Sequence, residues 1–113
     1  MRQTLSNGES IRKRVELLAK FFHGFADPSR LLILSSIRPG PLTVGEIVKE
    51  TGLTQSNVSN HLACLRNCGH VKAQQKGRAV VYTLGSKKID RLLVMSEAIL
   101  KQNALGIYEC TSM

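Results

Sequence analysis

From about Ile11 the chain repeats apolar residues at helical spacing. Ile11, Val15, Leu18, Phe22 and Phe25 follow one another at intervals of 4, 3, 4 and 3, which lines them up as one stripe on a helix. Leu17 and Phe21 widen that stripe. A face this broad on a terminal helix predicts packing against more than its own domain, with a dimer contact as one option. Met1 to Glu9 is polar and reads as a loose lead-in.

Boundary signals divide the middle of the chain. Asp27-Pro28 predicts a helix start, with Asp27 as cap and Pro28 in the first turn. A short helix over Ser29 to Ile37 is expected to bury some combination of Leu31, Leu32, Leu34 and Ile37, and Pro39-Gly40-Pro41 breaks the chain after it. Thr43 and Glu46 form a capping-box pattern, with Leu42 and Ile47 as its hydrophobic staple, and the helix they open ends near Gly52. Thr54 caps the next helix, Leu53 is placed to staple to Val58, and Gly69 is placed to end it after about Asn67. Two short helices around the turn Thr51-Gly52-Leu53-Thr54 are a helix-turn-helix signature.

The period then changes. Val80, Tyr82 and Leu84 alternate with Val81 and Thr83, and Gln75-Lys76-Gly77-Arg78 offers a hairpin tip between two strands. Ser86 is a candidate cap for a last long helix carrying Ile89, Leu92, Leu93, Ile99 and Leu100, with Gly106 weakening its continuation. The expected division is a flexible lead over 1–9, a domain over 10–105 and a tail over 106–113.

Composition sharpens this outline. The chain has 113 residues, a formal net charge of +8, 42% hydrophobic residues and no Trp. That suits one domain with an aliphatic core, and disfavours global disorder, collagen, a disulfide-dense scaffold and a large catalytic fold. No apolar stretch is long enough to span a bilayer, and no signal core follows Arg12-Lys13-Arg14. A cytoplasmic location without membrane attachment is expected. The basic excess points toward a polyanion, although ordinary solubility also accounts for it. No P-loop, dinucleotide fingerprint, nucleophile elbow or paired-carboxylate motif is present, so an enzyme is not expected.

On the helix from Gln55 to Asn67, Val58, Leu62 and Leu65 form an anchoring side, while Ser56, Ser59, Asn60 and Ala63 form a small, polar one led by Gln55. A face of that kind fits closely into a major groove, where amides pair with adenine and hydroxyls reach bases or phosphates. It is equally the composition of a plain solvated face. The helix-turn-helix and a hairpin carrying Lys72, Lys76 and Arg78 favour DNA, with Lys76 and Arg78 at a tip able to reach a minor groove or its phosphates. His61 has three options: bracing the helix, touching DNA or binding metal. Bracing is the expected one.

These stretches resemble the ArsR/SmtB family of bacterial metal-sensing repressors. The resemblance is carried by Ala26-Asp27-Pro28-Ser29-Arg30-Leu31, by Leu53-Thr54-Gln55-Ser56-Asn57-Val58-Ser59-Asn60-His61-Leu62 with Leu65-Arg66, and by Gly77-Arg78 before Val81-Tyr82-Thr83-Leu84. It covers roughly Val15 to Leu105. It implies a mainly α winged helix-turn-helix fold with a β-hairpin wing, dimeric through the first and last helices. It also implies operator DNA as partner, contacted at Gln55, Ser56, Ser59 and Asn60.

The cysteines are Cys64, Cys68 and Cys110, an odd number that argues against a closed disulfide framework. Cys64 and Cys68, four apart, share one helix face with Asn57 and His61, and two thiolates so spaced can grip a soft cation. A further ligand is needed, and Cys110 is the only thiol left. Small buried hydrophobes and a disulfide switch are the rival readings. Within the resembled family, a site on the first helix of the helix-turn-helix is missing here, because Thr43 and Gly45 occupy it. A site of Asp and His residues on the last helix is also missing, because Asp90 has no histidine after His70. The resemblance that holds is to cadmium- and lead-sensing members, with cysteines in the recognition helix and one in the C-terminal tail. It implies Cys64, Cys68 and Cys110 as ligands of Cd(II) or Pb(II), with Zn(II) also able to bind, and a tail ligand supplied across the dimer. The function implied is a repressor released from its operator by metal. A redox-sensing repressor and a constitutive DNA binder with structural zinc are the alternatives.

Overall fold

The computed structural model describes residues 7–110. Its elements are α1 (Asn7–His23), α2 (Pro28–Ile37), α3 (Val44–Thr51), α4 (Gln55–Asn67), β1 (Val71–Lys76), β2 (Ala79–Leu84) and α5 (Lys87–Glu109). Mainly helical with one antiparallel hairpin, this is the winged helix-turn-helix order.

The caps explain most boundaries. Asp27 accepts from the Arg30 amide, with Pro28 in the first turn. Thr43 and Glu46 close both halves of the capping box. Gly52, at φ 73°, ends α3 in the left-handed region that only glycine enters cheaply. Thr54 accepts from the Asn57 amide to open α4. The hairpin pairs Val71 with Leu84 through Lys76 with Ala79, leaving Gly77-Arg78 as a two-residue loop. Gly77 has φ 62°, as the first central position of a type II′ hairpin turn requires.

One core joins these elements. Ile33, Leu34 and Ile37 of α2, Ile47 of α3, Val58, Leu62 and Leu65 of α4, Val71 of β1, and Ile89 and Leu93 of α5 are buried together. Of the four candidates for burial on α2, Leu34 and Ile37 are buried and Leu31 and Leu32 exposed, and Ile33, not among them, also takes an inward position. Leu42 bonds reciprocally with the Tyr82 backbone and packs on the core, tying the α2–α3 loop to the wing. Arg38, just past α2, reaches Asp90 at 2.8 Å and Glu97 at 2.9 Å on α5. Asp90, then Glu97, raise the guanidinium pKa above its ordinary value, against some desolvation. The stability linked to that shift is present below the unfolded pKa and is lost only in strong alkali, so it adds no pH dependence near neutrality.

Two boundaries and one cap differ from the sequence expectation. Helix α1 is already formed at Asn7, so 7–9 are helical; Met1 to Ser6 lie outside the described residues. Ser86 sits at the N-cap of α5 but makes no side-chain cap bond. Helix α5 continues through Gly106 to Glu109 and kinks instead at Asn103 (φ −127°, ψ 18°). The Asn103 side-chain Nδ2 donates to the Ile99 carbonyl at 3.0 Å, in competition with the helix's own i+4 bond from the Asn103 backbone N–H to that oxygen. No described helix is long and apolar enough to cross a membrane.

Candidate nucleic-acid interface and thiol site

Helix α4 has the two sides its pattern predicts. Val58, Leu62 and Leu65 are fully buried and fix its rotation. Gln55, Ser56, Ser59, Asn60 and Ala63 all lie exposed on the opposite side. Small residues there let the backbone approach a partner, and the first turn points unpaired amides outward. Lys76 and Arg78 are exposed at the wing tip, held by the tight loop and by a Gln75 side-chain bond to the Gly77 carbonyl.

His61 braces α4 against α2. Arg30 Nε donates to His61 Nδ1 at 3.3 Å, and Arg30 also donates to the His23 carbonyl at 3.3 Å. Nδ1 is therefore the unprotonated ring nitrogen in this arrangement. His61 Nε2 lies 3.8 Å from the Asp27 carboxylate, too far for a hydrogen bond. The end of α1, the start of α2 and the middle of α4 thus meet at Arg30, a residue whose role the sequence pattern left blank.

Cys64 is half-buried and Cys68 exposed. The Cys68 amide donates to the Cys64 carbonyl at 3.1 Å, so helical geometry persists through Cys68 although that residue is the C-cap. The two side chains therefore sit one turn apart on one face, outside the core. Cys110 is exposed at the C-cap of α5. Among the described residues of one chain, no group of three or more His, Cys, Asp and Glu side chains is arranged to hold a metal. The donor set that a single chain gathers is two soft sulfurs. These suit a thiophilic cation but fall short of the three or four ligands such ions take in closed sites.

Beyond Cys68 the chain makes a Schellman turn. The Gly69 amide donates to Arg66 and the His70 amide to Leu65, with Gly69 at φ 78°. This turn drives His70 inward. Its ring is fully buried, stacked on Phe25 at 4.3 Å and tilted against Phe21 at 4.7 Å. Sequence reasoning gave His70 no role. The available signal was its place directly after the helix-ending glycine, where a contact back onto the helix is usual.

Comparison with known proteins places this geometry. The model of bacterial regulatory proteins of the arsR family matches residues 27–73. A probable mercury resistance operon repressor of Streptomyces lividans is 37% identical over 93 residues, 82% of this chain and 74% of its own. The transcriptional regulator CmtR of Mycobacterium tuberculosis is 44% identical over 80 residues, 71% of this chain and 68% of its own.

The chain belongs to the arsR family.

The CmtR structure, described as a cadmium sensor, superposes with a TM-score of 0.62 at 43% identity, over 68% of this chain and 80% of that one. The structure of NolR from Sinorhizobium fredii superposes with a TM-score of 0.73 at 31% identity, over 87% and 96%. An arsR-family chain with this fold is a DNA-binding transcriptional regulator and not an enzyme. The family match runs from the α2 cap to the first residues of the wing. It therefore includes the small polar face and the Cys64–Cys68 pair, but neither the wing tip nor Cys110.

Proposed function

We propose that this arsR-family protein is a homodimeric repressor that leaves its operator when Cys64 and Cys68, completed by Cys110 of the partner subunit, bind Cd(II) or Pb(II). The observation that carries this reading is the position of the thiol pair at the end of the helix whose other side presents Gln55, Ser56, Ser59 and Asn60. A clamp on that end acts directly on the reader. Two features support dimerisation. Val15, Leu18 and Phe22 of α1, and Ile99 and Leu100 of α5, leave wide apolar faces in solvent in a single chain. Among the described residues, one chain also does not gather a third donor.

In the apo dimer, Asn60 and Gln55 read base edges, Ser56 and Ser59 contact bases or phosphates, and Lys76 and Arg78 hold the adjacent backbone or minor groove. The two α4 helices meet half-sites about one helical turn apart. Cys64 and Cys68 must lose their thiol protons to bind, so cation affinity rises with pH until both are ionised. Cys110 then draws the end of α5 toward the reading helix and changes the spacing or tilt of the two readers. Such a repressor works in the cytoplasm, where thiols stay reduced.

The relatives favour a soft cation without choosing one. The name of the Streptomyces protein specifies mercury and that of the mycobacterial structure cadmium. The test is a spectroscopic titration of wild type and of the single Cys→Ser variants with Cd(II), Pb(II), Hg(II) and Zn(II). It is paired with binding to a duplex enriched from a random library by the apo-protein. Cys64→Ser should keep apo DNA binding and lose the metal response. Loss of apo binding would make Cys64 a packing residue. Cadmium uptake unchanged by Cys110→Ser would leave a two-sulfur site, and release on oxidation without metal would favour a redox sensor.

A further inference from the structure

We propose that His70 is the positioning residue that carries the state of the thiol pair from Cys68 to α1. The inference rests on the metal-release reading above and extends it to the route of coupling.

The backbone and ring of His70 meet three parts of the fold: α4 with its C-cap, the segment after β2, and α1. Its amide donates to Leu65 of α4 at 2.8 Å, and its carbonyl accepts from Gly85, just after β2, at 2.8 Å. Ring Nδ1 lies 3.2 Å from the Cys68 carbonyl oxygen, and Nε2 lies 2.9 Å from the Phe21 carbonyl oxygen. Both oxygens only accept, so a neutral ring donates to one of them at a time, and it is held between the C-cap of the reading helix and the last turn of α1. The bridge ends on the backbone of the same residue whose sulfur is proposed to bind.

The ring has no slack. Phe25 and Phe21 cover its faces. A methyl group at Gly24 would lie 2.7 Å from Nε2 and 3.0 Å from Cδ2, so glycine is what lets the ring reach Phe21. On the other side, a methyl group at Gly85 would collide with the Gly69 carbonyl, so the turn bearing the ring is pressed against the end of the wing. The ring is fully buried, so the ring N–H, once parted from its carbonyl, would find no water to replace it. Reorienting the Cys68 backbone to bring Sγ onto a cation therefore moves the ring or strips it of a partner. Either outcome is felt at the Phe21 carbonyl. Helix α1 also carries the apolar face proposed to meet the second copy, so the displacement reaches the spacing between readers.

The test uses the full-length protein, Cd(II) as probe and the library-enriched duplex. Fluorescence anisotropy gives DNA affinity with and without Cd(II), and the cadmium–thiolate absorption band gives metal stoichiometry. His70→Phe keeps an aromatic ring in the stack and removes both nitrogen contacts. Gly24→Ala disturbs the same contact from α1, without altering His70, the cysteines or α4. Wild type is expected to lose about 5- to 150-fold in DNA affinity on binding Cd(II). Both variants should keep the stoichiometry and the apo DNA affinity within about threefold, while the cadmium effect falls below threefold. His70→Gln, which retains a donor, should recover part of it. Cadmium should also shift the His70 ring nitrogen resonances in wild type, although His70 is no ligand. A cadmium effect of wild-type size in folded Gly24→Ala or His70→Phe overturns the route and leaves the metal-release reading intact. No cadmium effect in wild type overturns both.

Discussion

The middle of the chain and its two long ends are built differently. Helices α2, α3 and α4 and the hairpin are short, capped by their own side chains, and enclose a shared core. Helices α1 and α5 are the longest elements, with 17 and 23 residues, yet much of their apolar surface faces solvent in a single chain. Leu18 is 53% exposed and Ile99 52%, whereas Leu62 is 1% exposed. A reading head complete within one chain is thus carried on helices whose apolar faces call for more chain than one copy provides. Local geometry dictates the first; the second is where the proposed dimer would form.

The largest effect should come from breaking the head. Leu62→Ala removes a core side chain that fixes the rotation of α4, and should cost about 2–5 kcal/mol in unfolding free energy, measured by urea denaturation. The loss should be independent of protein concentration when followed below the dimer dissociation range. The ends should respond in the opposite manner. Leu18→Glu alters a side chain that a single chain leaves in solvent, where surface changes usually stay within about 0.5 kcal/mol. If α1 is a dimer face, the buried charge should instead cost about 2–4 kcal/mol of association. Sedimentation velocity would then show monomers with an intact far-ultraviolet helix signal. An unchanged dimer would remove α1 from the interface.

The reading side divides in the same physical terms. Asn60 is proposed to contact a base edge, so Asn60→Ala should cost about 1–3 kcal/mol on the selected duplex and little on random DNA. Lys76 at the wing tip is proposed to meet phosphate, so Lys76→Ala should weaken all duplexes alike and lower the salt slope by about 1. Equal losses on specific and random DNA for Asn60→Ala would move it from reading to positioning.

This contrast also separates what the sequence shows from what it hides. The caps at Asp27, Thr43 and Thr54 and the glycine stops at Gly52 and Gly69 act over three to five residues, so a linear pattern exposes them. The inward side of α2 is hidden, because Leu31 through Leu34 are all apolar and periodicity cannot choose among them. Contacts with α4 and the wing decide for Ile33 and Leu34. His70 finds the Phe21 carbonyl 49 positions away, and Arg38 finds Asp90 52 positions away. No local rule reaches that far. The exposed reading face and the Cys64–Cys68 pairing follow from helical spacing alone. The completion of the proposed site by a third sulfur does not, because Cys110 lies on another element, at the end of α5.

The smallest test sits at two helix starts that look alike on paper. Thr43 and Ser86 both hold N-cap positions with extended backbone. Thr43 accepts from the Glu46 amide at 3.2 Å, and Glu46 returns a bond from the Thr43 amide at 2.8 Å. Ser86 makes no side-chain bond to its helix. Thr43→Ala should therefore destabilise by about 1 kcal/mol, through an orphaned amide at the start of α3. Ser86→Ala should stay within about 0.5 kcal/mol, even though sequence preference ranks the two residues as similar caps. Thermal melts of the two variants, at one protein concentration and in reducing buffer, decide it. A loss at Ser86 matching that at Thr43 would mean that its hydroxyl turns onto the α5 amides in solution. The start of α5 would then be capped like the head, and the division between head and ends would begin further along that helix.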